Sequence, residues 1–265
     1  MIHKILIFRN LIDNVPKNIG LYTIGVVLLV ANHFSFEYIA TIVGLVAFLF
    51  SYSSIYVMND LFDIAEDIAS NEKASRKPLA QGIVTKKEAL LISIILLAIG
   101  IVISSLLNVI FLAIICMLIF VNSLYTIPPI RLKHTVFSLP LVLIMQFLKI
   151  LLPWTTSADL IQFPTLFVLS FSLIYLIIFV GYKQNKTIGD SIRGEPAILG
   201  VSLVVLFASI FVYSNPLLQL AIMAYLLAGI VYFRDVHLTD KKVIKWSPIY
   251  ILLGVLLFVY LIVCF

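Results

Sequence analysis

Long apolar runs constrain this chain more than any other feature of its sequence. Crossing a bilayer takes about 20 largely apolar residues. Runs of that kind recur at roughly 18–34, 38–60, 88–106, 109–125, 135–154, 163–182, 196–213, 216–233 and 247–264, nine in all among 265 residues. With 62% hydrophobic and only 12% charged residues, against about a quarter charged in a soluble domain, one globule of this size cannot hide its apolar surface. Lipid must cover it, and in hydrocarbon an open sheet would leave backbone groups unsatisfied. The expectation is an all-α membrane protein of nine transmembrane helices, a single domain over 1–265. Residues 1–16 carry Lys4, Arg9 and Asp13 and lack a small-residue cleavage pattern, so they read as an interfacial segment rather than a signal peptide.

The basic residues set the topology. Every Lys and Arg except Lys149 lies in the N-terminal segment, in the connections 61–87, 126–134, 183–195 and 234–246, or beside them. The alternate turns near 35–37, 107–108, 155–162 and 214–215 contain neither residue. Under the positive-inside rule the N-terminus and long loops are cytosolic, as in the plasma membrane of a prokaryote. The net charge of +5 therefore reports topology and attraction to membrane lipids, not nucleic acid. Cys116 and Cys264 lie in apolar runs without metal spacing and read as buried free thiols. His3, His33, His134 and His237 are scattered, and no GxSxG, Walker or GxGxxG motif is present.

Chemistry concentrates where the second run ends, at Asn59-Asp60-Leu61-Phe62-Asp63-Ile64-Ala65-Glu66-Asp67. On a continuous helix, Asn59, Asp63, Asp67 and Asp60 fall at about 0°, 40°, 80° and 100°, on one quarter of the surface. Three carboxylates there repel one another unless a cation joins them. Hard oxygens on a helix face suit Mg2+, which keeps waters and bridges to substrate phosphates. A solvated helix end is the bland alternative. Carboxylates entering an apolar run are functional by default.

The stretch resembles the first aspartate-rich motif, NDxxDxxxD, of the UbiA superfamily of intramembrane prenyltransferases. Arg76-Lys77-Pro78-Leu79-Ala80-Gln81-Gly82 is similar to that family's basic RPxxxG segment, and Tyr125-Thr126-Ile127-Pro128-Pro129-Ile130-Arg131-Leu132-Lys133 to its YSxPPxRLK connection. Pro16-Lys17-Asn18 resembles its KN element. The resemblance implies a helix bundle around a central cavity and a polyprenyl diphosphate donor whose diphosphate is held through Mg2+. Ionisation of that donor gives an allylic cation, captured by a small-molecule or lipid acceptor. It implies metal ligation by Asn59, Asp60, Asp63 and Asp67, and catalytic roles for Asp63, Asp67, Lys133 and Asp190. It implies diphosphate binding by Arg76, Lys77, Arg131, Lys183 and Lys186. For each basic residue, head-group anchoring is the alternative.

The family's second motif, DxxxD, departs from pattern here: Asp190 and Gly194 fit, but Lys186 stands where the first Asp belongs. That exchange disfavours a second protein-held metal and favours a fixed cation on phosphate. It resembles the polyprenyl-phosphate phosphoribosyltransferase branch, which makes phosphoribosyl transfer to polyprenyl phosphate the second expectation. A non-catalytic scaffold with a degenerate site is the third. Lys149, the one basic residue inside a run, either snorkels outward or meets a buried anion. Tyr56, Tyr125 and Tyr175 are candidates to line the cavity and stabilise a carbocation.

Overall fold

The computed structural model of the chain describes residues 9–31, 34, 37–69, 74–75, 77–135, 137–157, 160–165, 167–169 and 171–172, with backbone alone for 9–17, 31 and 161. Among the described residues there is no strand. The helices are α1 (Arg9–Ala31), α2 (Tyr38–Phe62), α3 (Ile64–Ala69), α4 (Lys86–Leu107), α5 (Val109–Thr126) and α6 (Ser138–Leu151). Short 3-10 turns follow at Leu132–His134, Leu152–Thr156 and Leu160–Gln162. The helices α2, α4 and α5, and Ser138–Thr156, are long and apolar enough to cross a membrane. The runs expected at 196–213, 216–233 and 247–264, most of 163–182, and Arg76, Tyr175, Lys183, Lys186 and Asp190 lie outside the described residues.

Helix boundaries follow local chemistry. Thr85 and Glu88 form a capping box at the start of α4: the Thr85 hydroxyl accepts from Glu88 N at 3.2 Å, and Glu88 Oε2 accepts from Thr85 N at 3.0 Å. That arrangement satisfies orphan amides of the first turn. Asn108 alone joins α4 to α5, its Oδ1 accepting from Phe111 N at 2.8 Å. Among the described residues the first helix spans Arg9–Ala31 and runs through Pro16.

The described residues belong to two compact units. The first comprises Met1–Gly25 and Phe36–Ala158. Lipid offers helices no hydrophobic reason to associate, so small residues and buried polar pairs set their contacts. Between α2 and α4, the hydroxyls of Ser54 and Ser93 lie 3.0 Å apart, and Ser93 Oγ donates to Ser54 O at 3.1 Å. At Gly100 the backbones approach so closely that an added Cβ meets Ser51 Oγ at 2.1 Å and Ser51 N at 2.7 Å. Gly25 on α1 does the same beneath α6: a Cβ there lies 2.1 Å from Ile150 O. Trp154 Nε1 donates to Gly25 O at 2.9 Å, and Tyr22 ties α1 to α2 by donating to Thr41 O at 2.9 Å. The second unit, Val26–Ser35 with Asp159–Phe265, is described at the end of α1 and at 160–172, where Leu29, Phe163, Phe167 and Phe171 are buried.

Cys116 corrects an expectation: it is a free thiol but exposed, beside exposed Met117 and Phe120 on α5. An apolar run in a membrane protein has no polar face to mark its outside, because lipid is as apolar as the core.

Candidate active site at the end of the second helix

The second helix does not continue unbroken through the acidic stretch. Asp63 caps it with φ −94° and ψ 3°, and α3 resumes at Ile64. The i to i−4 pattern survives the bend, since Asp63 N donates to Asn59 O and Asp67 N to Asp63 O, each at 2.9 Å. Asp60 and Asp67, about 20° apart on the projection, are thereby brought together from two helices.

Lys77 joins them. Its Nζ donates to Asp60 Oδ1 at 2.7 Å and to Asp67 Oδ2 at 2.6 Å, and both carboxylates are buried. The turn that delivers Lys77 is locally built. Gln81 N donates to Lys77 O at 3.0 Å, Ile83 N to Pro78 O at 3.0 Å, and Gly82 adopts φ +72°. Leu79 and Val84 anchor this turn in a core with Val57 on α2 and Ile92 and Leu96 on α4. Burial alone lowers the Lys77 ammonium, but the charge of Asp60 and the hydrogen bonds to Asp60 and Asp67 outweigh it and raise the group above the ordinary lysine range.

A second cation pair comes from the connection after α5. Arg131 takes the left-handed conformation, φ 34° and ψ 60°, which costs about 1–2 kcal/mol for a residue with a Cβ. It leads into the 3-10 turn that carries Lys133. Arg131 Nη2 donates to Asp63 Oδ1 at 2.8 Å and to Glu66 Oε1 at 2.5 Å. Lys133 Nζ donates to Asp63 Oδ1 at 2.5 Å and to Glu66 Oε2 at 3.0 Å. His134 Nε2 stands 3.5 Å from Glu66 Oε1. Burial alone raises the Glu66 carboxyl, but the hydrogen bond and charge of Lys133, with the charges of Arg131 and His134, hold it below the usual carboxylate range.

Thus the predicted residues fall into two ion-pair clusters at the end of α2, Lys77 with Asp60 and Asp67 and Arg131 and Lys133 with Asp63, with half-buried Asn59 in the last turn of α2. Glu66 belongs with them and escaped the sequence reading. It lies seven residues after Asn59, about 20° away on the same projection, and that angle was the available signal.

The donor set fits a hard divalent cation. Among the described residues no three His, Cys, Asp or Glu converge on one point. Two carboxylates from different helices do converge on one cationic nitrogen at Lys77. Magnesium is typically held by one or two protein carboxylates plus waters and substrate phosphates, which matches such a pair.

Deeper in the bundle, Lys149 on α6 is 1% exposed and does not snorkel. Its Nζ donates to Asn18 Oδ1 at 3.2 Å and lies 3.9 Å from the Tyr52 ring centroid. Asn18 Nδ2 in turn donates to the Tyr56 hydroxyl at 3.1 Å. Tyr52 and Tyr56 meet edge to face at 5.1 Å, and Tyr56 stands one helical turn inside Asp60.

Comparison with known proteins adds the following. The family model described as the UbiA prenyltransferase family matches residues 20–187. No curated protein sequence matches the chain. Among solved structures, a UbiA homolog from Archaeoglobus fulgidus bound to GPP and Mg2+ is similar at 12% identity and TM-score 0.69, over 95% of this chain and 99% of that one. The same homolog bound to DMAPP and Mg2+ is similar at 13% identity and TM-score 0.69, over 96% and 99%. A digeranylgeranylglyceryl phosphate synthase is similar at 18% identity and TM-score 0.62, over 98% and 97%. At these identities the structural likeness is one of fold.

Proposed function

This chain belongs to the UbiA prenyltransferase family, and from that premise we propose that it is an Mg2+-dependent intramembrane transferase. It moves a polyprenyl group from a polyprenyl diphosphate to a small aromatic or lipid-like acceptor. The observation that carries the reading is the pairing of Asp60 and Asp67 on Lys77, and of Asp63 on Arg131 and Lys133. Carboxylates and cations at one mouth of a helix bundle are the two halves of a metal–diphosphate site. The A. fulgidus homolog was solved with GPP and with DMAPP, each with Mg2+, which supports the same ligand class here.

In this reading Asn59, Asp60, Asp63 and Asp67 hold the metal, which when bound neutralises the diphosphate and makes it a better leaving group. Lys77, Arg131 and Lys133 exchange Asp60, Asp63 and Asp67 for phosphate oxygens and stabilise the charge that develops as the allylic C1–O bond breaks. The bonding pair leaves with diphosphate. An electron pair of the acceptor bonds to C1, and the acceptor's proton departs to the diphosphate or solvent. Tyr56, one helical turn inside Asp60, offers an aromatic ring suited to a transient cation. Exclusion of water by the apolar bundle protects it. Family resemblance alone keeps Arg76, Lys183 and Lys186 as candidates for diphosphate binding and Asp190 as a candidate catalytic residue, in a chain read as one domain of nine spans.

One observation favours a second reading. Lys149 is buried rather than snorkelled, a placement suited to a lipid-borne anion. It keeps phosphoribosyl transfer to polyprenyl phosphate as the alternative. Incubating membranes with labelled geranylgeranyl diphosphate or labelled phosphoribosyl diphosphate separates the two. Lipid-extractable label from the first alone supports prenyl transfer, from the second alone the alternative, and from neither a scaffold.

A further inference from the structure

The cation pair of Arg131 and Lys133 poses a chemical problem. Both donate to the same oxygen of Asp63, Oδ1, at 2.8 and 2.5 Å. If Asp63 ligates a metal, that oxygen loses basicity toward the two cations, and they lose a partner when they are needed near the diphosphate. Glu66 resolves the conflict by geometry. It meets the same two cations with separate oxygens, Oε1 for Arg131 at 2.5 Å and Oε2 for Lys133 at 3.0 Å. It lies outside the NDxxDxxxD positions, on the short helix α3 that also carries Asp67.

We propose that Glu66 is a positioning residue: it holds Arg131 and Lys133 at fixed points so that Asp63 is released to the metal. The inference rests on the prenyl-transfer reading and deepens it. Without Glu66, both cations turn fully onto Asp63 and compete with the metal for it. The glutamate side chain is 42% exposed, so its removal disturbs packing little. The strained Arg131 backbone fixes where the connection starts, and Glu66 fixes where its two cationic tips end.

The opposing account is that Glu66 merely neutralises a basic patch. The two differ in sign. A neutraliser weakens anion binding, so its loss tightens binding of a diphosphate. A positioning residue supports binding at limiting metal, so its loss weakens it.

The test uses full-length protein in detergent and a non-ionising donor analogue, geranylgeranyl thiodiphosphate, with Mg2+ titrated. For Glu66→Gln the metal concentration at half-maximal analogue binding rises about tenfold, the size expected for losing a hydrogen bond to a charged group. Saturating Mg2+ restores binding, and Glu66→Asp, which keeps the charge on a shorter arm, recovers part of the shift. Tighter binding by Glu66→Gln at low Mg2+ overturns the proposal, as does a loss that saturating Mg2+ leaves unrepaired. If Glu66→Gln fails to fold, Glu66→Asp decides: a raised midpoint supports the proposal and an unchanged one overturns it. A wild-type protein that binds no analogue at any Mg2+ concentration refutes the prenyl-transfer reading itself.

Discussion

Replacing Lys77 by methionine removes a cation that touches both Asp60 and Asp67 at hydrogen-bond distance while keeping most of the side-chain volume. The two carboxylates are 5% and 2% exposed, so neither can be rehydrated without movement. Removing one partner of a buried ion pair costs about 3–5 kcal/mol. Because Lys77 itself is 17% exposed, water reaches this end of the bundle, and we place the loss nearer about 2–3 kcal/mol. For a chain of this size that lowers Tm by roughly 5–10 °C. Magnesium reverses the effect in this account. At a hundredfold excess over Kd a bound ligand contributes about 2.7 kcal/mol, close to the loss, and in the variant it no longer displaces an ammonium. Thermal unfolding in detergent, with and without Mg2+, is the assay. The account predicts a larger Mg2+-dependent rise in Tm for Lys77→Met than for wild type. A Tm loss that Mg2+ leaves untouched, or no loss, refutes the reasoning that Lys77 occupies a cation position between two metal-binding carboxylates.

Gly100→Ala places a methyl against Ser51 N and Ala47 O at 2.7 and 3.0 Å, contacts that no rotamer relieves. Separation of α2 from α4 lowers stability by about 1–3 kcal/mol, read as a fall in Tm; wild-type stability contradicts so close a crossing. The pH dependence follows from two groups. Glu66 is held below its ordinary range, so its contribution is present above about pH 4.3 and is lost as pH falls through the lowered pKa. Lys77 is held above its ordinary range, so its contribution is present below about pH 10.4 and is lost as pH rises through the raised value. The difference in Tm between wild type and Glu66→Gln therefore shrinks as pH falls below about 4.3; a difference that stays unchanged well below that pH contradicts the assignment.

Much of the architecture was legible because membrane solvent imposes it. The runs read at 38–60, 88–106 and 109–125 match α2, α4 and α5 within two residues, since hydrocarbon thickness and backbone satisfaction leave little freedom. The pairing of Asp60 with Asp67, about 20° apart in projection, was legible for a similar reason, as helical periodicity survives a single bend. What helical projection leaves out is tertiary. It assumes α2 continues past Asp63, where the helix in fact caps and restarts. It does not reveal that the carboxylates divide between Lys77 on one side and Arg131 with Lys133 on the other, because those partners lie ten to seventy residues away. The burial of Lys149 and the exposure of Cys116 were illegible for one physical reason: with lipid outside, side-chain polarity does not separate inward from outward faces. Asn18, 131 residues from Lys149, supplies a partner that no local pattern announces.

The central claim is that the acidic end of α2 binds a diphosphate through a divalent metal. Calorimetric titration of the purified protein with geranylgeranyl thiodiphosphate measures this directly, in Mg2+ and in EDTA, for wild type and Asp63→Asn. The account predicts binding by wild type in Mg2+, none in EDTA, and at least a tenfold weakening in Asp63→Asn, as about 1.4 kcal/mol of lost metal or cation contact produces. Equal binding with and without the metal, or an Asp63→Asn protein that binds as wild type does, contradicts it.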